Sequence, residues 1–172
     1  MNLIIDSAVG THIQRSLFGE LVLAYRDRSG DNYAHSAAGE LVYDPVNRHN
    51  KKGCDPWWLI AKADNQISRY YANQLTREFG VRLDLPAWGS HVSIIRGVEP
   101  VQNRERWAYN NGSRYEMLYT PDVYTNGVHW WLNVKCDVFD EHRTLYGLPE
   151  GKRHFHLTVG RTSENSIIKG QL

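Results

Sequence analysis

Arg153-His154-Phe155-His156-Leu157-Thr158-Val159-Gly160-Arg161 is the stretch whose reading decides the fold. On a strand, positions two apart share a face. Phe155, Leu157 and Val159 then supply an apolar face for a core, while His156 and Thr158 point together to the other side. An imidazole beside a hydroxyl is an odd choice for a strand whose only task is packing. The chain makes that choice twice: His91-Val92-Ser93-Ile94-Ile95-Arg96 has the same order of His, apolar, hydroxyl, apolar, any residue, Arg. Two such strands can bring two imidazoles and two hydroxyls to one cleft.

Outward from these strands the chain reads as mixed α+β. Segments 20–26, 39–43, 114–120 and 128–136 have strand character, divided by turn signals such as Asp44-Pro45, Pro121-Asp122 and Asn126-Gly127. Asp55-Pro56 offers an N-cap and a proline for the first helical position. Ile60, Ala63, Ile67, Tyr71 and Leu75 follow at spacings of three and four, which predicts a helix over 56–79 stopped by Gly80. A second, shorter helix is predicted over 138–146. Residues 47–53, 99–112 and 150–152 read as loops. The longest of them carries Arg104, Arg106, Trp107 and Tyr109, and loops of that length are often functional. Each half therefore runs helix, loop, then a strand bearing His-x-Ser/Thr.

At 172 residues the chain has the length of one domain. Hydrophobic and charged fractions of 41% and 23% are ordinary for a globular protein. The net charge of +1 argues against extended binding to duplex nucleic acid, which needs a strong basic excess. Two cysteines, Cys54 and Cys136, are too few for a disulfide framework and fit buried thiols in a reduced, cytoplasmic setting. No signal peptide and no membrane span is expected: Met1 to Asp6 lacks a basic region ahead of a long apolar run, and no stretch approaches the roughly 18 apolar residues of a span. The other histidines show no ligand spacing with acidic residues or cysteines, so neither a metal site nor a cofactor is expected. Six Trp and ten Tyr stand out. Pairs such as Trp57-Trp58 and Trp130-Trp131 cannot both face inward on a regular element, so some rings lie elsewhere.

Two histidines on opposite sides of a phosphodiester can divide acid–base work, because an unperturbed imidazole titrates near 6.5. One removes a proton from the attacking oxygen and the other protonates the departing one. A hydroxyl two residues on can donate to a non-bridging oxygen where charge builds up. A single His-x-Ser/Thr is a weak signal, since a strand histidine satisfied by its neighbours looks the same. Two copies, each on an apolar strand pattern and each following a helix, carry far more.

The pair His91-Val92-Ser93-Ile94 and His156-Leu157-Thr158-Val159 resembles the doubled His-x-Thr/Ser signatures of the 2H phosphoesterase superfamily. Residues 156–161 are especially similar to the second motif of its LigT-like RNA 2′,3′-cyclic phosphodiesterases. The resemblance covers the motifs and the order of elements over residues 40–161, and leaves the first forty residues unexplained. It implies a single bilobal, pseudo-symmetric α+β domain over 1–172, with two antiparallel sheets around a central cleft, flanking helices and one motif per lobe. It implies metal-independent hydrolysis or transesterification of phosphodiesters, with His91 and His156 as the acid–base pair and Ser93 and Thr158 as phosphate binders. Ser93 stands where Thr is commoner, and Ile95-Arg96-Gly97 does not clearly match the LigT pattern. The substrate is then a cyclic nucleotide or an RNA with a cyclic phosphate. Members that destroy cyclic-oligonucleotide immune signals are phage enzymes working in the host cytoplasm. Trp88, Trp107 and Tyr109 are candidates to stack on bases. Arg96 and Arg161 are candidates for phosphate contact, although an ideal strand turns both away from its histidine. A nucleotide- or RNA-binding module without turnover is the rival reading of the same residues.

Overall fold

The computed structural model describes residues 3–5, 31–46, 57–149 and 155–163. The strand expected at 20–26, the loops at 47–53 and 150–152, the Asp55-Pro56 cap, Cys54 and His154 lie outside the described residues. In chain order the elements are β1 (Leu3–Ile5), β2 (His35–Tyr43), β3 (Leu59–Lys62), α1 (Asn65–Phe79), β4 (Leu83–Asp84), β5 (His91–Ile95), β6 (Arg114–Tyr119), β7 (Val123–Thr125), β8 (His129–Lys135), α2 (Asp137–Leu145) and β9 (Phe155–Thr162). No helix among the described residues is long and apolar enough to cross a membrane.

The mixed α+β class is as the sequence suggests, but the strands do not divide into two sheets flanking a cleft. They form one sheet in the order β8-β6-β2-β3-β5-β9, and β9 pairs back onto β8 to close a six-stranded ring. Every pairing in the ring is antiparallel. The reason lies in β2, whose nine residues pair with β3 along one edge and with β6 along the other. It joins the half that carries β5 to the half that carries β8. Outside the ring, β7 continues on β8, β1 pairs parallel to β7, and β4 pairs with β9.

The first helix is shorter than its apolar stripe predicts. Leu59–Lys62 form a strand and Trp58 belongs to no helix. Leu59, Ile60 and Ala61 are all essentially inaccessible, a short apolar run that a strand buried on both faces satisfies as well as a helix does. α1 begins only after Asp64, whose carboxylate accepts from the Gln66 N–H at 2.9 Å. From there the expected stripe holds: Tyr71 and Leu75 are buried with Ser68 and Ala72. Gly80 takes the left-handed conformation at the helix end, φ 66°, and its N–H caps the last turn.

The core face of the sheet carries Leu41, Leu59, Val92, Met117, Leu132, Leu157 and Val159, each fully buried. Both helices add to the same cluster, α1 through Tyr71 and Leu75 and α2 through Phe139, whose ring meets Phe155 edge-on at 5.3 Å. Burial in β9 alternates with period two as far as Val159: Phe155, Leu157 and Val159 are buried while His156 and Thr158 are half-buried. Truncating Leu157→Ala leaves a void where helix and sheet meet. It is expected to cost about 2–5 kcal/mol by urea denaturation, whereas the exposed Arg161→Ala changes stability by no more than about 0.5 kcal/mol.

Candidate active site

The register of β5 against β9 builds the site. Val92 and Leu157 are directly opposed, and both enter the core. One residue further along each strand, His91 comes opposite Thr158 and Ser93 opposite His156, on the other face of the sheet. The four motif side chains therefore share one patch. The two imidazoles lie on its diagonal, about 7–8 Å apart at their bases. The neighbouring strands extend both rows. Ile60 is opposite Ser93 and Lys62 opposite His91. Asn133 is opposite His156 and Trp131 opposite Thr158.

His91 is 8% exposed. Its Nδ1 donates to the Gly89 carbonyl at 2.8 Å, which leaves Nε2 as the basic nitrogen. Burial lowers its pKa below the ordinary value. The Gly89 hydrogen bond opposes that shift and the Arg96 charge adds to it. Ser93 Oγ accepts from Trp58 Nε1 at 3.2 Å, so its own hydroxyl hydrogen can point to a ligand. The Trp58 ring meets Trp88 edge-on at 5.1 Å and His91 at 5.9 Å, and the Arg96 guanidinium lies over it at 4.6 Å. Trp88 Nε1 is buried and makes no hydrogen bond among the described residues.

The surroundings of His156 are different. Its ring tilts against Trp131, centroids 5.0 Å apart. Trp131 is held from behind. Its Nε1 donates to Asn133 Oδ1 at 3.2 Å, and Asn133 Nδ2 donates to Asp31 Oδ2 at 2.7 Å. Tyr124 stacks on Trp131 at 6.4 Å and donates its hydroxyl to the other oxygen of Asp31. Burial first, then Asp31, pushes the Tyr124 phenol pKa up, so it stays a donor.

A hydroxyl clasp ties the two motif strands to α1. Ser68 Oγ donates to the Thr158 carbonyl at 2.9 Å, and Ser90 Oγ, next to His91, donates to Ser68 Oγ at 2.7 Å. Ser90 N–H in turn donates to Asn65 Oδ1 at 2.9 Å. Asn65 is the first residue of α1 and fits only because residue 89 is glycine. A Cβ at position 89 would clash with Asn65 Oδ1, and φ is +75°.

Of the residues singled out in the sequence, the fold brings His91, Ser93, His156, Thr158, Trp88 and Arg96 together. Arg96 arrives because β5 ends at Ile95, which frees it from the strand's alternation. Trp107 and Tyr109 are placed elsewhere. Trp107 packs against Tyr43, Trp57 and Tyr146 and donates to Asp44 Oδ2 at 2.7 Å, while Tyr109 is an exposed residue of the same loop. Arg161 is exposed on β9, opposite Asp84 and His129 and three residues beyond Thr158. Trp58, Trp131, Asn133 and Asp31 were missed. The adjacent tryptophans were the available signal: Trp130 goes to the core and Trp131 to the motif face.

Among the described residues no three His, Cys, Asp or Glu side chains cluster as metal ligands. Comparison of the chain with protein-family models, curated proteins and solved structures gives no match. The geometry alone carries the functional reading. Gly89→Ala is expected to cost about 1–3 kcal/mol in denaturant unfolding, because it strains the backbone and displaces Asn65 from Ser90.

Proposed function

We propose that the chain is a phosphodiesterase of the two-histidine kind, a closed-sheet variant of the 2H architecture. It would cleave a cyclic phosphate or a cyclic (oligo)nucleotide, a cyclic nucleotide immune signal being one such substrate. One observation carries this reading: the Val92–Leu157 pairing sets His91, Ser93, His156 and Thr158 on a single face with the imidazoles diagonal to each other. A free, buried Cys136 thiol accords with a reduced, cytoplasmic setting.

His91 is the base in this scheme. It is buried, its pKa is lowered, and Nε2 keeps its lone pair because Nδ1 holds the proton for Gly89. Nε2 takes the proton of a water or ribose hydroxyl as that oxygen bonds to phosphorus. The opposite P–O bond breaks, and His156, entering protonated, gives its proton to the departing ribose oxygen. Ser93 and Thr158 donate to the non-bridging oxygens, where negative charge grows. Water attack then yields a phosphomonoester or a linear nucleotide. Solvent exchange returns both imidazoles to their starting states.

Purified protein assayed in EDTA against 2′,3′-cyclic mononucleotides, short RNAs and cyclic dinucleotides tests the scheme. His91→Ala and His156→Ala are each expected to lower kcat by about 10²–10⁴-fold. Variants that turn over substrate like the unmodified protein would sink the assignment. A ligand that binds and survives prolonged incubation intact would point to the binding module instead.

The pH profile gives a second check. The neutral form of His91 is the active one, so kcat/KM falls on the acid side as His91 takes up a proton. With its pKa lowered by burial and by Arg96, that limb lies below the ordinary 6.5. Arg96→Gln removes the positive charge and moves the limb to higher pH. A limb that stays in place, or moves down, excludes His91 as the base.

A further inference from the structure

The row of side chains through His91 does not stop at the motif. Lys62 stands opposite His91, Glu40 opposite Lys62, and Arg114 opposite Glu40. With Ala38, Ala63 and Asp64 these residues line an open groove of about 450 Å3 that begins one strand away from His91. Strands lie about 4.8 Å apart, so a lysine on β3 has ample reach both to the groove and to the edge of the two-histidine patch.

The groove carries two cations and two carboxylates, and one of the cations, Arg114, is held in an ion pair. Arg114 holds Glu40 through both Nε and Nη2, at 3.0 and 2.8 Å on the same oxygen. Asp64 is engaged by the Gln66 N–H at the start of α1. Both carboxylates thus have positive or donor partners. Lys62 is exposed and makes no ion pair or hydrogen bond among the described residues. An ammonium group is left facing an open groove beside the proposed catalytic base.

We infer that Lys62 and this groove form a subsite for a second phosphate, the one next to the scissile phosphodiester. This rests on the two-histidine reading and sharpens its substrate class. The groove favours an oligonucleotide, linear or cyclic, that carries at least two phosphates over a lone cyclic mononucleotide. A chain bound across His91 and His156 continues over Lys62 into the groove, and the ammonium meets its next phosphate as a compact point charge.

The probes are diadenylate, with one internal phosphodiester, and the same compound with an added 5′- or 3′-terminal phosphate. Their binding is measured by calorimetry at several salt concentrations on the His91→Ala/His156→Ala double variant, with and without Lys62→Ala. One phosphorylated form is expected to bind about tenfold tighter than diadenylate. Lys62→Ala should abolish that advantage, leave diadenylate binding within about twofold, and reduce the salt slope by about 0.7–1. No advantage for either phosphorylated form, or an advantage that survives Lys62→Ala, overturns the subsite. Turnover by the unmodified protein is scored separately. If no probe or cyclic dinucleotide is cleaved while the Lys62-dependent advantage holds, the catalytic reading fails and the subsite stands.

Discussion

The pairing of β5 with β9 is the contact on which the rest of the molecule depends. A strand shows alternate residues to alternate faces, so one register fixes two things together. It puts Val92 and Leu157 into the core and sets His91, Ser93, His156 and Thr158 on the opposite face. A slip of one residue along β9 would turn the histidine and threonine inward and expose Phe155, Leu157 and Val159. Each large apolar side chain is worth about 1.5–3 kcal/mol buried. The hydrophobic effect, which has no interest in phosphate chemistry, is what places the polar residues.

Given that register, the two imidazoles enter unlike environments. His91 leans on a backbone carbonyl and shares Trp58 with the Arg96 guanidinium, a cation–π contact of about 0.5–2 kcal/mol. His156 leans on an indole fixed by an amide, a phenol and the Asp31 carboxylate. In the proposed scheme such contrasting surroundings would divide acid from base work near neutrality. The Ser68 and Ser90 hydroxyls tie both motif strands to the first turns of α1, so neither strand can shift without straining the other.

The motif strands were legible because a period of two is written in consecutive residues. His156 and Thr158 alternate with Phe155, Leu157 and Val159, and His91 and Ser93 alternate with Val92 and Ile94 in the same way. The start of α1 was not legible. Leu59-Ile60-Ala61 is apolar throughout, which fits a doubly buried strand and a helix face equally, and Asp55 and Asp64 are both plausible caps. Ring closure was also hidden. Which strand pairs with β2 depends on long-range contacts that leave no mark in local periodicity, and a doubled motif suggests two lobes more readily than one closed sheet. The supporting shell failed to show for a related reason. Trp58, Trp131, Asn133 and Lys62 become neighbours of the motifs only through cross-strand register, and Asp31 lies about a hundred residues away in the chain.

Strand order also bears on how the protein is made. β9 is the last described element to leave the ribosome, yet it belongs in the middle of the sheet, between β5 and β8. Until it arrives the ring is open. β5 then shows its unpaired backbone along one side, with Val92, Ile94 and Ile95 beside it, and β8 does the same with its paired tryptophans. Exposed edges of this kind invite pairing with other chains. A nascent or truncated copy lacking β9 therefore offers open strand edges to other chains and is also devoid of one histidine. Completion of the last strand seals the edges and completes the histidine pair in the same step.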